Sequence, residues 1–81
     1  MGVNDKMRSW LRDLRLSKRL TQEDVASMLG ISQTMYSKIE TGERQEKMDL
    51  ELASKLANIF KISLKKINEL EEPLRQKRKE S

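Results

Sequence analysis

The chain has no cysteine and no histidine, and among its 81 residues there are one proline, three glycines and one each of Phe, Trp and Tyr. Lacking Cys and His, it cannot build zinc sites from those ligands, ligate haem through them, assemble a Ser-His-Asp or Cys-His triad, or close a disulfide. Most enzymatic chemistry is thereby removed, and neither catalysis nor a cofactor or metal site is expected. Apolar runs are also short: none approaches the roughly 20 residues of a membrane span, and no signal-type segment opens the chain. The expectation is a cytoplasmic protein with no membrane partner and no small-molecule ligand. With 36% apolar residues and so few aromatics, the core must come from Leu, Ile, Met and Val, and Trp10, Phe60 and the methionines are read as core.

Charge is plentiful and unevenly placed. The net charge is +4, but residues 1–20 hold six basic and two acidic groups, residues 21–72 seven and ten, and residues 73–81 four and one. The middle is acidic and both ends are basic. The carboxylate pairs Glu23-Asp24 and Glu71-Glu72 read as helix-end electrostatics and surface, because adjacent residues on a helix do not face each other.

Apolar positions recur at spacings of three and four throughout, which predicts five helices and an all-α fold. The first spans about Asp5 to Lys18, with Met7, Trp10, Leu11 and Leu14 on its inner face and Arg8, Arg12 and Arg15 largely off it. Thr21 with Asp24 suits a capping box for the second helix, whose inner face is Val25, Met28 and Leu29, with Ala26 small enough to let another helix approach. Gly30 suits its left-handed end. Ser32 caps a third helix about three residues later, so these two helices must cross steeply. Gly42 ends that helix, Asp49 caps a fourth carrying Leu52, Leu56, Ile59 and Phe60, and Ser63 caps a fifth with Leu64, Ile67 and Leu70 inward. Pro73 marks the edge of the domain. Residues 1–72 are read as the folded unit and residues 73–81 as a basic, disordered tail.

The third helix carries the functional signal. At about 100° per residue, Gln33, Thr34, Ser37 and Lys38 share one side, while Ser32, Met35, Tyr36 and Ile39 crowd the other. One half can dock on the preceding helix; the other offers an amide, two hydroxyls and an ammonium, groups able to bond base edges or phosphates. Gln33 in the first turn suits adenine, Thr34 a thymine methyl, and Lys38 guanine or a phosphate. Gln22, opening the second helix, suits a phosphate.

The stretches Leu20-Thr21-Gln22-Glu23-Asp24-Val25-Ala26, Leu29-Gly30-Ile31-Ser32-Gln33 and Ser37-Lys38-Ile39-Glu40-Thr41-Gly42-Glu43-Arg44 resemble the helix-turn-helix regulators of the phage repressor and Cro type, also called the xenobiotic-response-element family. The resemblance covers roughly residues 7 to 70. It implies a compact five-helix, lambda-repressor-like DNA-binding domain that recognises double-stranded DNA with helix three, through Gln33, Thr34, Ser37 and Lys38 at base-facing positions. It further implies phosphate contacts from Gln22, Arg44, Gln45 and Lys47, and a structural ion pair between Arg15 and Glu40. Two departures stand out. Tyr36 replaces a smaller Ile or Val, and its hydroxyl is assigned to a phosphate; Glu43 and Glu46 put acid in the phosphate-facing loop. The function expected is a sequence-specific transcriptional regulator, a repressor acting as a homodimer on a roughly palindromic operator. The alternative is a protein-interaction module, such as an antitoxin or adaptor, on the same fold.

Overall fold

A computed structural model describes residues 7–80, with side chains as far as Leu74. Its described residues form five helices and no strand: α1 Ser9–Ser17, α2 Gln22–Leu29, α3 Gln33–Thr41, α4 Leu50–Phe60 and α5 Leu64–Glu80. None of these helices is long and apolar enough to cross a membrane.

Local chemistry fixes most of the boundaries. At α2 the Thr21 hydroxyl accepts from the Asp24 amide at 3.0 Å while the Thr21 amide donates to the Asp24 carboxylate at 2.8 Å, a reciprocal capping box. Ser32 accepts from the Met35 amide, Asp49 from Leu52 and Ser63 from Lys66, so three further helices begin on a side-chain oxygen. Gly30 closes α2 at φ 76°, and the following Ile31 amide reaches back to the Ala26 carbonyl at 3.0 Å. A Cβ on Gly30 would meet nothing within 4 Å. Glycine is therefore favoured there by its backbone conformation and not by crowding.

The core joins all five helices through Leu11, Val25, Ala26, Leu29, Tyr36, Ile39, Leu52, Leu56, Phe60 and Ile67. Within it α3 packs chiefly on α2 and also meets α1, while α4 and α5 pair with each other. Trp10 and Met48 pack against the core from its edge. Three expected inward residues turn out instead: Met28 is 55% exposed, Leu64 43% and Met35 37%. At α2 the small Ala26 is buried in the core while Met28 stays on the flank.

Three further differences concern charge and the ends of helices. α1 begins at Ser9, and Met7 and Arg8 precede it outside any helix; Asp5 lies outside the described residues. Arg8 and Arg15 are buried, not off the inner face, and so is Glu71. Each is paired, which is what burial of a charge requires. Finally, the backbone does not break at Pro73. α5 continues through it to Glu80, where the sequence reading expects an unfolded tail. Pro73 removes one donor, the one due to the Glu69 carbonyl, and because Pro73 is exposed that carbonyl has access to water. Extending a helix from a turn already packed requires no new apolar burial, the term on which the tail expectation rested.

Candidate nucleic-acid interface

α3 is held at both ends and along one face. Tyr36, Ile39 and Glu40 are buried, whereas Gln33, Thr34 and Lys38 are exposed and Ser37 is half-buried. Together with Gln22 and Glu43, these four polar residues line one open depression on the surface. The three-residue connection Gly30-Ile31-Ser32 sets the angle: α2 stops on a left-handed glycine, and Ser32 restarts the chain at once.

Arg15 anchors α3 from behind. Its Nε donates to Glu40 Oε2 at 2.6 Å and its Nη2 to Glu40 Oε1 at 3.3 Å, with both side chains buried. A third bond runs from Arg15 Nη1 to the Leu20 carbonyl at 3.0 Å. Burial alone pushes the Glu40 carboxyl upward, but its donors, Arg15 foremost, outweigh this and leave it below the ordinary carboxylate range. Arg15 is raised in turn, first by its hydrogen bond to Glu40. The pair is thus doubly ionised at neutral pH.

The phosphate-assigned residues fare differently. Gln22 is half-buried and donates through Nε2 to Glu40 Oε1 at 3.1 Å, which fixes it at the mouth of the depression. Tyr36 is wholly buried, so its assignment to a phosphate is corrected: the ring fills the core behind α3. Its hydroxyl lies close enough to Glu40 and Arg15 to feel their charge but is not in hydrogen-bonding geometry with any group among the described residues. Burial first, and then Glu40, push this phenol far above its usual range. On the sequence-level helical wheel Tyr36 already falls on the docked side, the signal that argues against a phosphate.

Arg44 and Lys47 are exposed in the loop between α3 and α4. Gln45 sits between them at φ 58° with its amide engaged: Nε2 donates to Asp49 at 3.1 Å and Oε1 accepts from the Asp49 amide at 3.0 Å. Its side chain therefore braces the start of α4. Glu43 accepts from the Thr41 hydroxyl at 3.0 Å, which keeps its carboxylate at the helix end.

Sequence reasoning misses the other end of this scaffold. The Arg8 amide donates to the Glu40 carbonyl at 2.7 Å, and the Arg8 guanidinium bonds the carbonyls of Ile39, Arg44 and Gln45 as well as Glu71. Arg8, Leu11 and Arg15 stand three and four apart, the spacing of one helical stripe, and that is the signal that could have found Arg8.

The comparisons with known proteins agree with this geometry. The helix-turn-helix family model matches residues 11–67, a span that holds the α2-turn-α3 unit and the helices that brace it. The chain belongs to the helix-turn-helix family, of the phage repressor and Cro type. It is also similar to the uncharacterised HTH-type transcriptional regulator YqaF of Bacillus subtilis (strain 168), with 46% identity over 39 residues, covering 48% of this chain and 51% of that protein. The matched region thus spans about half the length of that relative. No solved structure matches. Within the helix-turn-helix family the compact all-α, lambda-repressor-like arrangement of five helices is the fold of this chain.

Proposed function

We propose that the chain is a sequence-specific double-stranded DNA-binding transcriptional regulator that places α3 in the major groove. What supports this most is the division of α3: Gln33, Thr34, Ser37 and Lys38 line one open surface while Tyr36, Ile39 and Glu40 anchor the opposite side. An amide, two hydroxyls and an ammonium on one rigid helical face can bond base edges, and Arg44 and Lys47 stand on the loop that follows to meet phosphates. Family membership and the likeness to a relative named as a transcriptional regulator point the same way. Residues 1–72 would be the DNA-binding unit, and the basic residues 73–81 would add sequence-independent attraction to phosphate.

A module this size touches few bases, so we further propose a homodimer acting as a repressor in the cytoplasm on a roughly palindromic operator, with half-sites about one helical turn apart. A groove between α4 and α5, lined by Met48, Leu50, Ala53, Leu64 and Ile67, gives apolar surface for a second copy beside α5. The same groove favours the second reading, an antitoxin or adaptor whose main partner is another protein. Selection from a random DNA pool, followed by mobility shifts across salt, tests both. A regulator enriches one motif and loses affinity steeply as salt rises. Equal competition by random DNA, with a protein co-purifying instead, favours the interaction module.

A further inference from the structure

A helix of this length leaves its last four carbonyls without intrahelical partners. At the end of α3, two of them are met by one residue that precedes α1, 31 positions before Ile39. Arg8 donates its backbone amide to the Glu40 carbonyl at 2.7 Å and its Nη1 to the Ile39 carbonyl at 2.8 Å. The same guanidinium then crosses into the loop beyond, where Nη1 reaches the Arg44 carbonyl at 3.2 Å and Nη2 the Gln45 carbonyl. Its remaining N–H groups go to α5: Nε to Glu71 Oε2 at 2.8 Å and Nη2 to Glu71 Oε1 at 3.1 Å. All five guanidinium donors are thus used, in a site with no exposure. Glu71 is held in turn by Trp10, whose Nε1 donates to Oε2 at 2.8 Å.

We propose that Arg8 and Glu71 are positioning residues for DNA contact. Glu71 holds the Arg8 fork in the one orientation that meets the Arg44 and Gln45 carbonyls, and so sets the loop of residues 43–47 against the phosphates that flank the groove. This rests on the DNA-binding reading above. Stability alone is a poor reason for the arrangement, since a buried ion pair seldom outperforms apolar residues of the same volume. A planar fork with five donors does what no apolar pair can: it ties three backbone carbonyls from a helix end and a loop to a distant helix. The base-facing side of α3 has its own anchor in Arg15 and Glu40. Losing the Arg8 clasp should therefore weaken phosphate contacts and leave base preference in place.

The test uses the full chain carrying Glu71→Gln, and separately the double change Arg8→Met with Glu71→Met, which leaves no unpaired buried charge if the single variant fails to fold. Binding to the selected DNA is measured across salt, and amide hydrogen exchange of residues 43–47 is compared with that of α2. Removing a negative charge from a protein that binds a polyanion should by itself raise affinity. The clasp gives the opposite sign: affinity for every sequence falls about tenfold, the salt slope drops by about one to two, and the preferred motif is unchanged. Exchange at residues 43–47 speeds up while α2 stays protected. Wild-type affinity, slope and exchange in the double variant would overturn the proposal. If the unmodified protein prefers no DNA sequence, the DNA-binding reading fails instead, and exchange decides the clasp: acceleration confined to residues 43–47 upholds it, and unchanged exchange removes it.

Discussion

Glutamine at position 33 sits in the first turn of α3, exposed and beside Thr34 and Ser37. Replacing it with alanine should cost about 1 to 3 kcal/mol on the preferred DNA and relax preference at one base pair. Competition binding against a set of single-base variants checks this, and an equal loss on all of them would count against base contact. Gly30 offers a stability test of a different cause. Its surroundings have room for a methyl group, so Gly30→Ala should cost about 1 to 2 kcal/mol through the left-handed backbone alone. Denaturant melts would show a loss well above this range if packing were involved. Arg15 and Glu40 should behave as a unit. Either truncation strands a buried charge and should cost about 3 to 5 kcal/mol, whereas Arg15→Met with Glu40→Leu should cost much less than the sum. A double-mutant cycle in urea measures the coupling, and additive losses would contradict it.

At the level of the helices, caps carry the sequence-to-structure link. Asp24 and Asp49 are both held below the ordinary aspartate value. For Asp24 the Thr21 amide is the largest cause; for Asp49 the Leu52 amide is, followed by Gln45. A carboxylate lowered on folding contributes stability that is complete above its unfolded value, 3.8 for these two and 4.5 for Glu40. That stability is lost as pH falls through the lower folded value. Stability should therefore decline below about pH 4.5 and keep declining under the unfolded aspartate value. Asp49→Asn keeps an N-cap oxygen but does not titrate. It should flatten the lower part of this decline, as seen in urea midpoints between pH 7 and 3, and an unchanged profile would show that the cap carboxylate contributes nothing to it. These caps were legible because each is a short-range pairing between neighbours in the chain: Thr21 with Asp24, Ser32 with Met35, Asp49 with Leu52. Arg8 and Glu71 were not, since each looks like a surface charge until the helix carrying its partner is in place. Pro73 misled for a related reason. Its cost falls on one carbonyl, and the turns on either side decide whether the helix continues.

For the molecule as a whole, the proposed recognition surface is assembled from α2, α3 and the loop after it, while the net charge of +4 would supply only general attraction to a polyanion. Arg44→Ala should weaken binding to all sequences alike and flatten the plot of log affinity against log salt by about one unit. An unchanged slope would place Arg44 off the phosphates. The five-helix fold and the grouping of Gln33, Thr34, Ser37 and Lys38 follow from periodicity, but the burial of Tyr36 and the use of Gln45 to brace α4 depend on how the helices meet. The bond between Arg8 and Glu71 joins positions 63 apart, which has a consequence during translation. A ribosome can release Arg8 and all of α3 while α5 is still inside the exit tunnel, and at that moment the guanidinium has no carboxylate to meet. Nascent chains should thus display a loosely ended α3 until α5 has left the tunnel, and, on the proposed function, a message cut short before α5 should yield a product unable to grip the duplex.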